Sequence, residues 1–343
     1  MNEQKKQYLG VRDIAKLAGA SIASVSRVLN HPETVSEKMR DKVMAVVREY
    51  DYTPNLSAKN LFSGTSTSIA LFVDDMANPF FTSYIKSLNS IAFRNDYTLL
   101  ICDGDVENGD DIEEKFYNYC KSLRTSGIVL TSGTHRTASE SGESFQSVPV
   151  VLLDRESFGS KACFEVHSDY RKGMMLLIEY LHKLGHRRIG YTRGKDHTLS
   201  AKLRYEAFLE YTQKLGLDIP ANYIKESDYT ITSGIEAFDY FYSMPDAPTA
   251  IIAANDQNAR GFILRANSLG VKIPEEFSVC GFDAIEPDAF YPQITSIRQD
   301  TRALAQATFD FIVSGKHLTV SEEKIIDVSM SIGTTCVRNT SSS

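Results

Sequence analysis

The chain has 343 residues, 42% hydrophobic and 24% charged, with a net charge of −7. That length exceeds what one hydrophobic core usually serves, so two or three folding units are expected. The composition is globular, and no apolar run reaches the ~18 residues of a membrane span. The polar start Met1–Gly10 lacks the apolar stretch of a secretion signal, which makes the cytoplasm the expected compartment. Cys102, Cys120, Cys163, Cys280 and Cys336 are scattered singly without a CxxC pair, so neither a zinc ribbon nor a disulfide framework is expected. Charge is unevenly placed: residues 1–62 hold ten Lys and Arg against seven Asp and Glu, net +3, and the remainder carries −10. A small basic unit on an acidic body suits a nucleic-acid reader joined to a separate sensor.

In chain order, Val11–Ala18, Ser21–Leu29 and Glu37–Tyr50 carry apolar residues at helical spacing. Ile14, Leu17 and Ala18 share one side of the first, Val25, Val28 and Leu29 one side of the second. Met39, Val43, Val46 and Val47 do so in the third. Ser21 and Ser36 stand where N-caps belong, and Gly19-Ala20 makes the tight break of a helix-turn-helix. Pro54 ends the block, and Asn55–Phe62 reads as a short helix before the loop Ser63-Gly64-Thr65-Ser66. At eight residues it falls below the ~12–15 at which an isolated helix is even marginal, so it folds only against a partner.

After Ser68, apolar runs alternate with amphipathic segments. Ile69–Val73, Thr98–Cys102, Gly127–Leu130 and Val150–Leu153 form one series of predicted strands, and Ile189–Thr192, Ala250–Ala253 and Ser278–Phe282 a second. Phe81–Arg94, Tyr170–Leu184, Leu199–Leu215 and Gln257–Leu269 are the intervening helices. The predicted fold is α/β: a three-helix helix-turn-helix unit, then two doubly wound lobes with a cleft at their strand ends. The domain boundaries are 1–54 for the helix-turn-helix unit, 55–65 for a hinge helix and linker, and 66–338 for an effector-binding and dimerisation domain. Lobe one spans roughly 66–166 and 299–326, and lobe two roughly 167–298 and 327–338.

The run Val11 to Asn30, the later Tyr52-Thr53-Pro54-Asn55 and the hinge Ala58-Lys59-Asn60-Leu61 closely resemble LacI/GalR-family regulators. Further blocks extend the resemblance over nearly the whole chain: Asn78-Pro79-Phe80-Phe81, Leu153-Asp154-Arg155, Gly185-His186-Arg187-Arg188-Ile189-Gly190, Ala254-Asn255-Asp256 and Gly281-Phe282-Asp283. The resemblance implies a periplasmic-binding-protein-like effector domain and an operator-binding homodimer. It places Ile22, Ala23 and Arg27 at base-reading positions and Ser21, Ser26 and Asn30 at phosphates. Paired hinge helices would insert Leu61 into the minor groove, with Ala58 at the helix contact and Asn55 and Lys59 on the DNA. The physics of the second helix agrees: its first residues are short, and Arg27 can offer guanine two donors. Ile22-Ala23 departs from relatives that carry hydrogen-bonding residues there, which leaves thymine-methyl contact or weaker readout. The alternative roles are a surface arginine for Arg27 and a core leucine for Leu61.

Ligands of open α/β lobes sit at the carboxyl ends of strands. The residues following the apolar runs are Phe80, Phe81, Ser132, Asp154 and Arg155 in the first lobe. In the second they are Thr198, Ser200, Arg204, Tyr229, Asn255, Asp256, Phe282 and Asp283. By motif position Phe80, Asp154, Arg204, Tyr229, Asn255 and Asp283 are the principal contacts. Aromatic faces with carboxylates, amides and a guanidinium suit a sugar, whose C–H faces stack and whose hydroxyls pair with buried polar groups. Structural roles remain open for some of them, with Asp256 as a helix cap and Asp154 paired to Arg155. A nucleobase effector is the alternative ligand. A free-standing solute-binding protein leaves residues 1–62 unexplained. His182 and His186 have the spacing of helical metal ligands, but Gly185 ends the helix between them and no HExxH carboxylate follows. No GxSxG, P-loop or GxGxxG motif is present either, so no enzyme, cofactor or metal is expected.

Overall fold

The computed structural model describes residues 9–53, 66–104, 112–131, 148–156, 163–195, 198–285, 291–316 and 318–340. The chain divides into two compact units, Met1–Ser66 and Thr67–Ser343. The first holds helices α1 (Val11–Leu17), α2 (Ile22–Asn30) and α3 (Glu37–Glu49), with a single 3₁₀ turn at Pro32–Thr34. Ile14, Ala15, Ala18, Val25, Val28 and Val43 form its core. Leu17, expected inside, is 46% exposed, because the last turn of α1 rotates it off the buried stripe. Ser21 caps α2 by accepting from the Ser24 amide at 3.0 Å. Ser36 stands at the N-cap of α3 without a side-chain cap bond. Between α1 and α2, Gly19 adopts φ +50°, the left-handed region where a Cβ is strained, and Lys42 Nζ donates to its carbonyl at 3.2 Å.

The second unit carries two six-stranded sheets. In lobe one the strands are β1 (Ser68–Val73), β2 (Thr98–Asp103), β3 (Gly127–Thr131), β4 (Val150–Leu153) and β5 (Phe164–Ser168). In lobe two they are β6 (Ile189–Arg193), β7 (Ile224–Glu226), β8 (Ala250–Ile252), β9 (Ser278–Asp283) and β10 (Thr295–Gln299). β11 (Glu322–Ile326) returns to the first sheet and β12 (Val328–Ser331) to the second, giving orders β11-β5-β4-β3-β1-β2 and β12-β10-β9-β8-β6-β7. Every pairing is parallel except β10 with β12. Central strands such as β3, β4 and β9 are buried throughout, as parallel strands covered on both faces must be.

Helices α4 (Pro79–Arg94) and α5 (Ile112–Leu123) cover the first sheet, and α6 (Tyr170–Lys183), α7 (Leu199–Lys214), α8 (Ile231–Tyr242) and α9 (Asp256–Ser268) the second. α10 (Thr301–Val313) goes back to lobe one, where Leu304, Phe309 and Ile312 join the core of Leu71, Val129 and Val151. The chain thus passes between lobes three times, at Asp169, Asp300 and Asp327. Each of these carboxylates accepts a backbone amide, from Lys172, Ala303 and Val328 at 2.8–2.9 Å. A short acidic side chain at the crossing satisfies a donor that the incoming helix or strand leaves open.

Candidate effector cleft and DNA-reading helix

The first turns of α2 hold the residues expected to read bases and phosphates. Ile22 is 47% exposed, and Ala23, Ser26 and Arg27 are also exposed, on the face opposite buried Val25 and Val28. Ser21 combines its place at the helix start with the capping bond. Asn30 ends α2, and its side chain lies outside the described residues, as do Asn55, Ala58, Lys59, Leu61 and Ser132.

In the second unit the ends of the strands of both lobes converge on a cavity of about 60 Å³. Lobe one contributes Phe80 and Phe81, placed by the Asn78 side chain, which accepts from the Phe80 amide at 3.0 Å. The two rings meet edge to face at 5.3 Å. Asp154 follows β4 at φ +54° and accepts from the Ser200 amide of lobe two at 2.9 Å. Its carboxyl is pushed upward by burial, opposed by the Arg204 charge.

Lobe two supplies Thr198, Ser200 and Arg204 from the start of α7, Tyr229, Asn255 and Asp283. Thr198 caps α7 and shares its hydroxyl with Ser200 and Tyr229, each at 3.3 Å. Tyr229 (φ +70°) lies over Gly194, where a Cβ would come within 1.8 Å of its hydroxyl, so only glycine fits beneath it. Arg204 is buried. Its guanidinium stacks on Phe282 at 3.7 Å and on Tyr170 at 4.8 Å, and donates to the Ala254 carbonyl at 2.8 Å. Asn255 caps α9 with its oxygen, accepting from the Asn258 amide at 2.9 Å. Gln299 donates to Asp283 at 2.7 Å.

Three buried polar atoms of this lining have no hydrogen-bond partner among the described residues: Arg204 Nε, Asn255 Nδ2 and Gln299 Oε1. A buried polar atom left unpaired costs about 1–3 kcal/mol, and two such donors and an acceptor belong to residues of this one lining. The cavity is well below the ~300 Å³ of ordinary small-molecule pockets, so admitting a ligand requires the lobes to part.

Nine of the residues expected at the cleft line it: Phe80, Phe81, Asp154, Thr198, Ser200, Arg204, Tyr229, Asn255 and Asp283. Three others do not. Phe282 lies under the Arg204 guanidinium and fixes it. Arg155 is buried away from the lining. Asp256 turns instead to Ser296, whose hydroxyl donates to it at 2.5 Å, and the cap of α9 is Asn255 beside it. Burial and the neighbouring Asp283 carboxylate raise the Asp256 pKa, and burial raises that of Asp283. Sequence reasoning missed Tyr170, Gln299, Asp74, Asp75, Lys195 and Asp228. Asp74 and Asp75 follow β1 and obey the same strand-end rule. Tyr170 and Gln299 flank lobe crossings, which periodicity does not reveal.

Comparison with known proteins places these two regions together. Residues 11–55 match the model of the bacterial regulatory proteins of the lacI family, and residues 178–340 match the periplasmic binding protein-like domain. The HTH-type transcriptional repressor PurR of Vibrio vulnificus (strain CMCP6) is 30% identical over 308 residues, covering 88% of this chain and 90% of that protein. The repressor CytR of Escherichia coli (strain K12) is 29% identical, covering 84% of each. The lac repressor dimer bound to operator and the anti-inducer ONPF superposes with a TM-score of 0.85 at 25% identity, over 96% of this chain and all of that one. With an exposed helix-turn-helix face on one unit and a polar cleft between two α/β lobes in the other, the chain belongs to the LacI family and is a DNA-binding transcriptional repressor with an effector-binding domain.

Proposed function

We propose that the effector is a small, neutral, polyhydroxylated molecule, a sugar of about one or two rings, and that its binding between the lobes of a homodimer sets operator affinity. The observation that carries this reading is the set of unpaired buried atoms, Arg204 Nε, Asn255 Nδ2 and Gln299 Oε1, on residues that line the same cleft as Asp154 and Asp283. Hydroxyl groups both donate and accept, so a polyol can serve both kinds at once. Lys195 and Arg204 face Asp74, Asp75, Asp154, Asp228 and Asp283, an acidic surplus that disfavours phosphorylated effectors. Phe80 and Phe81 offer apolar faces to the C–H side of a ring.

On the DNA side, Ser21, Ile22, Ala23, Ser26, Arg27 and Asn30 read or clamp the major groove. Asn55, Ala58, Lys59 and Leu61 engage the minor groove once two hinges pair. The lac repressor structure is a dimer on its operator, which supports two half-sites and a protein dyad here. The reading is of a cytoplasmic regulator that binds its effector without turnover. Titration calorimetry of the full chain against neutral sugars, sugar phosphates and nucleobases tests it. Saturable heat with a neutral sugar, accompanied by a changed operator affinity, is expected. Binding of a nucleobase alone, or of a sugar phosphate more tightly than its parent sugar, overturns the assignment.

A further inference from the structure

Outside the cleft, lobe two places two cysteines side by side. Cys280 lies on β9 and is fully buried, and Cys336 is half-buried in the segment that follows β12. Their sulfurs are 3.4 Å apart. The two backbones are pinned beside each other: the Val279 amide donates to the Thr335 carbonyl at 2.8 Å, and the Thr335 hydroxyl to the Val279 carbonyl at 2.6 Å. The Val337 amide adds a bond to the Ser278 hydroxyl at 3.0 Å. Sulfurs held this way need close by only about 1.3 Å to reach the ~2.05 Å of a disulfide, a change within side-chain rotation.

We infer that Cys280 and Cys336 form a reversible disulfide site, oxidised by a peroxide and reduced by a dithiol, that ties the C-terminal segment to β9. The two thiols are unequal. Burial works against the Cys336 thiolate, but hydrogen bonding from Cys280 and Thr295 outweighs it and holds that thiol below the usual range. Its bond to Cys336 and its burial push Cys280 up. Cys336 is the more exposed of the two and therefore the attacking group, in keeping with that direction. Its thiolate attacks one peroxide oxygen, the O–O bond breaks, and the departing hydroxide takes a proton, leaving Cys336 as a sulfenic acid. Cys280 then attacks the Cys336 sulfur. The S–O bond breaks, the S–S bond forms, and the Cys280 proton leaves with the released hydroxide as water. Two thiols and one hydrogen peroxide give one disulfide and two waters.

The crosslink falls three residues before Asp283, on the strand that carries an effector-cleft carboxylate. It also closes one covalent loop around two of the three lobe crossings, at Asp300 and Asp327. The inference stands on thiol geometry and is independent of which effector binds.

The test is a thiol titration of the full-length protein, denatured after exposure to hydrogen peroxide, with peptide mapping under non-reducing conditions. Five titratable thiols should fall to three, a Cys280–Cys336 linked peptide should appear, and dithiothreitol should restore all five. Cys336→Ser, at the less buried of the two positions, should keep its four remaining thiols under the same exposure. Cys280→Ser is the less informative variant, because it alters the core. The inference is overturned if wild type retains five thiols at a dose that fully oxidises dithiothreitol. Equal thiol loss in Cys336→Ser, or linkage through Cys102, Cys120 or Cys163, overturns it as well.

Discussion

The helix-turn-helix unit and the effector unit hide and reveal their functional residues in opposite ways. On α2 the proposed reading side chains are exposed, and nothing in the fold singles them out: Arg27 meets water in the free protein and costs nothing while idle. At the cleft the proposed contact atoms are buried, and the unpaired state of Arg204 Nε, Asn255 Nδ2 and Gln299 Oε1 is itself a strain on the fold. A surface site can therefore change residue by residue without touching stability, whereas a buried site is coupled to the core that holds it. Substitutions in the two units should separate accordingly.

The largest effect is expected at Arg204. Its guanidinium is stacked between Phe282 and Tyr170 and offsets the charge of Asp154. Arg204→Ala removes one partner of a buried charged set, which typically costs about 3–5 kcal/mol. Effector affinity should fall by more than ~100-fold and the midpoint of thermal unfolding should drop with it. Calorimetry and a melting curve of the same sample check both. Lost binding with an unchanged melt would break the link between buried function and stability.

Arg27→Ala gives the contrasting result. One bidentate base contact is worth about 1–3 kcal/mol of discrimination, so operator affinity should fall roughly 10- to 100-fold. The exposed position predicts a melting curve within about 0.5 kcal/mol of wild type and unaltered effector binding. Equal losses on operator and random duplex would assign Arg27 to phosphate contact.

The third expectation concerns pH within the effector unit. The Asp256 pKa is raised by burial and by Asp283, so the folded state holds a proton that the unfolded chain releases at lower pH. Such a group contributes stability below its unfolded pKa and loses it as pH rises from the ordinary carboxylate range towards neutrality. Wild type should therefore lose stability over that window relative to Asp256→Asn, whose amide keeps a polar side chain facing Ser296 and does not ionise. Denaturant midpoints of the two proteins across pH check the sign. A wild-type curve that gains on the variant as pH rises would show that Asp256 stays ionised in the fold.

The sequence disclosed these regions unevenly, for physical reasons. Helices α1, α2, α3, α4, α6, α7 and α9 and seven strands were readable because each is a continuous apolar stripe or run. β7 (Ile-Lys-Glu) and β11 (Glu-Glu-Lys-Ile-Ile) are edge strands with charged, exposed residues, and no periodicity distinguishes them from loops. α10 is apolar enough to see, but its return to the first sheet depends on long-range packing of Leu304, Phe309 and Ile312. In the cleft, strand-end position identified Asp154, Asn255 and Asp283. The same rule overreached at Phe282, whose ring is covered by the Arg204 guanidinium, while Asp283 beside it lines the cavity.

The smallest effect is expected where a contact between the lobes is also a surface contact. Lys202 on α7 reaches Glu156 beyond β4 at 2.7 Å, and both side chains are at least 40% exposed. Exposed ion pairs are worth about 0–1 kcal/mol, so this one biases lobe closure only slightly. The Asp154 bond to the Ser200 amide, which is buried, carries more of it. Lys202→Met should then shift the open-to-closed ratio by at most about fivefold towards open. Because the cavity must widen to seat a sugar, a more open ensemble admits effector faster, while a bound state parted by less than the reach of these two long side chains keeps the pair in wild type, loses it in the variant and releases effector faster. Association and dissociation rates from stopped-flow mixing should rise together, leaving the equilibrium affinity within about fivefold of wild type. High salt should erase the difference in wild type by screening the pair. A large loss of affinity with no change in association rate would instead place Lys202 against the ligand itself, and the cleft would have to be redrawn to include the outer edge of α7.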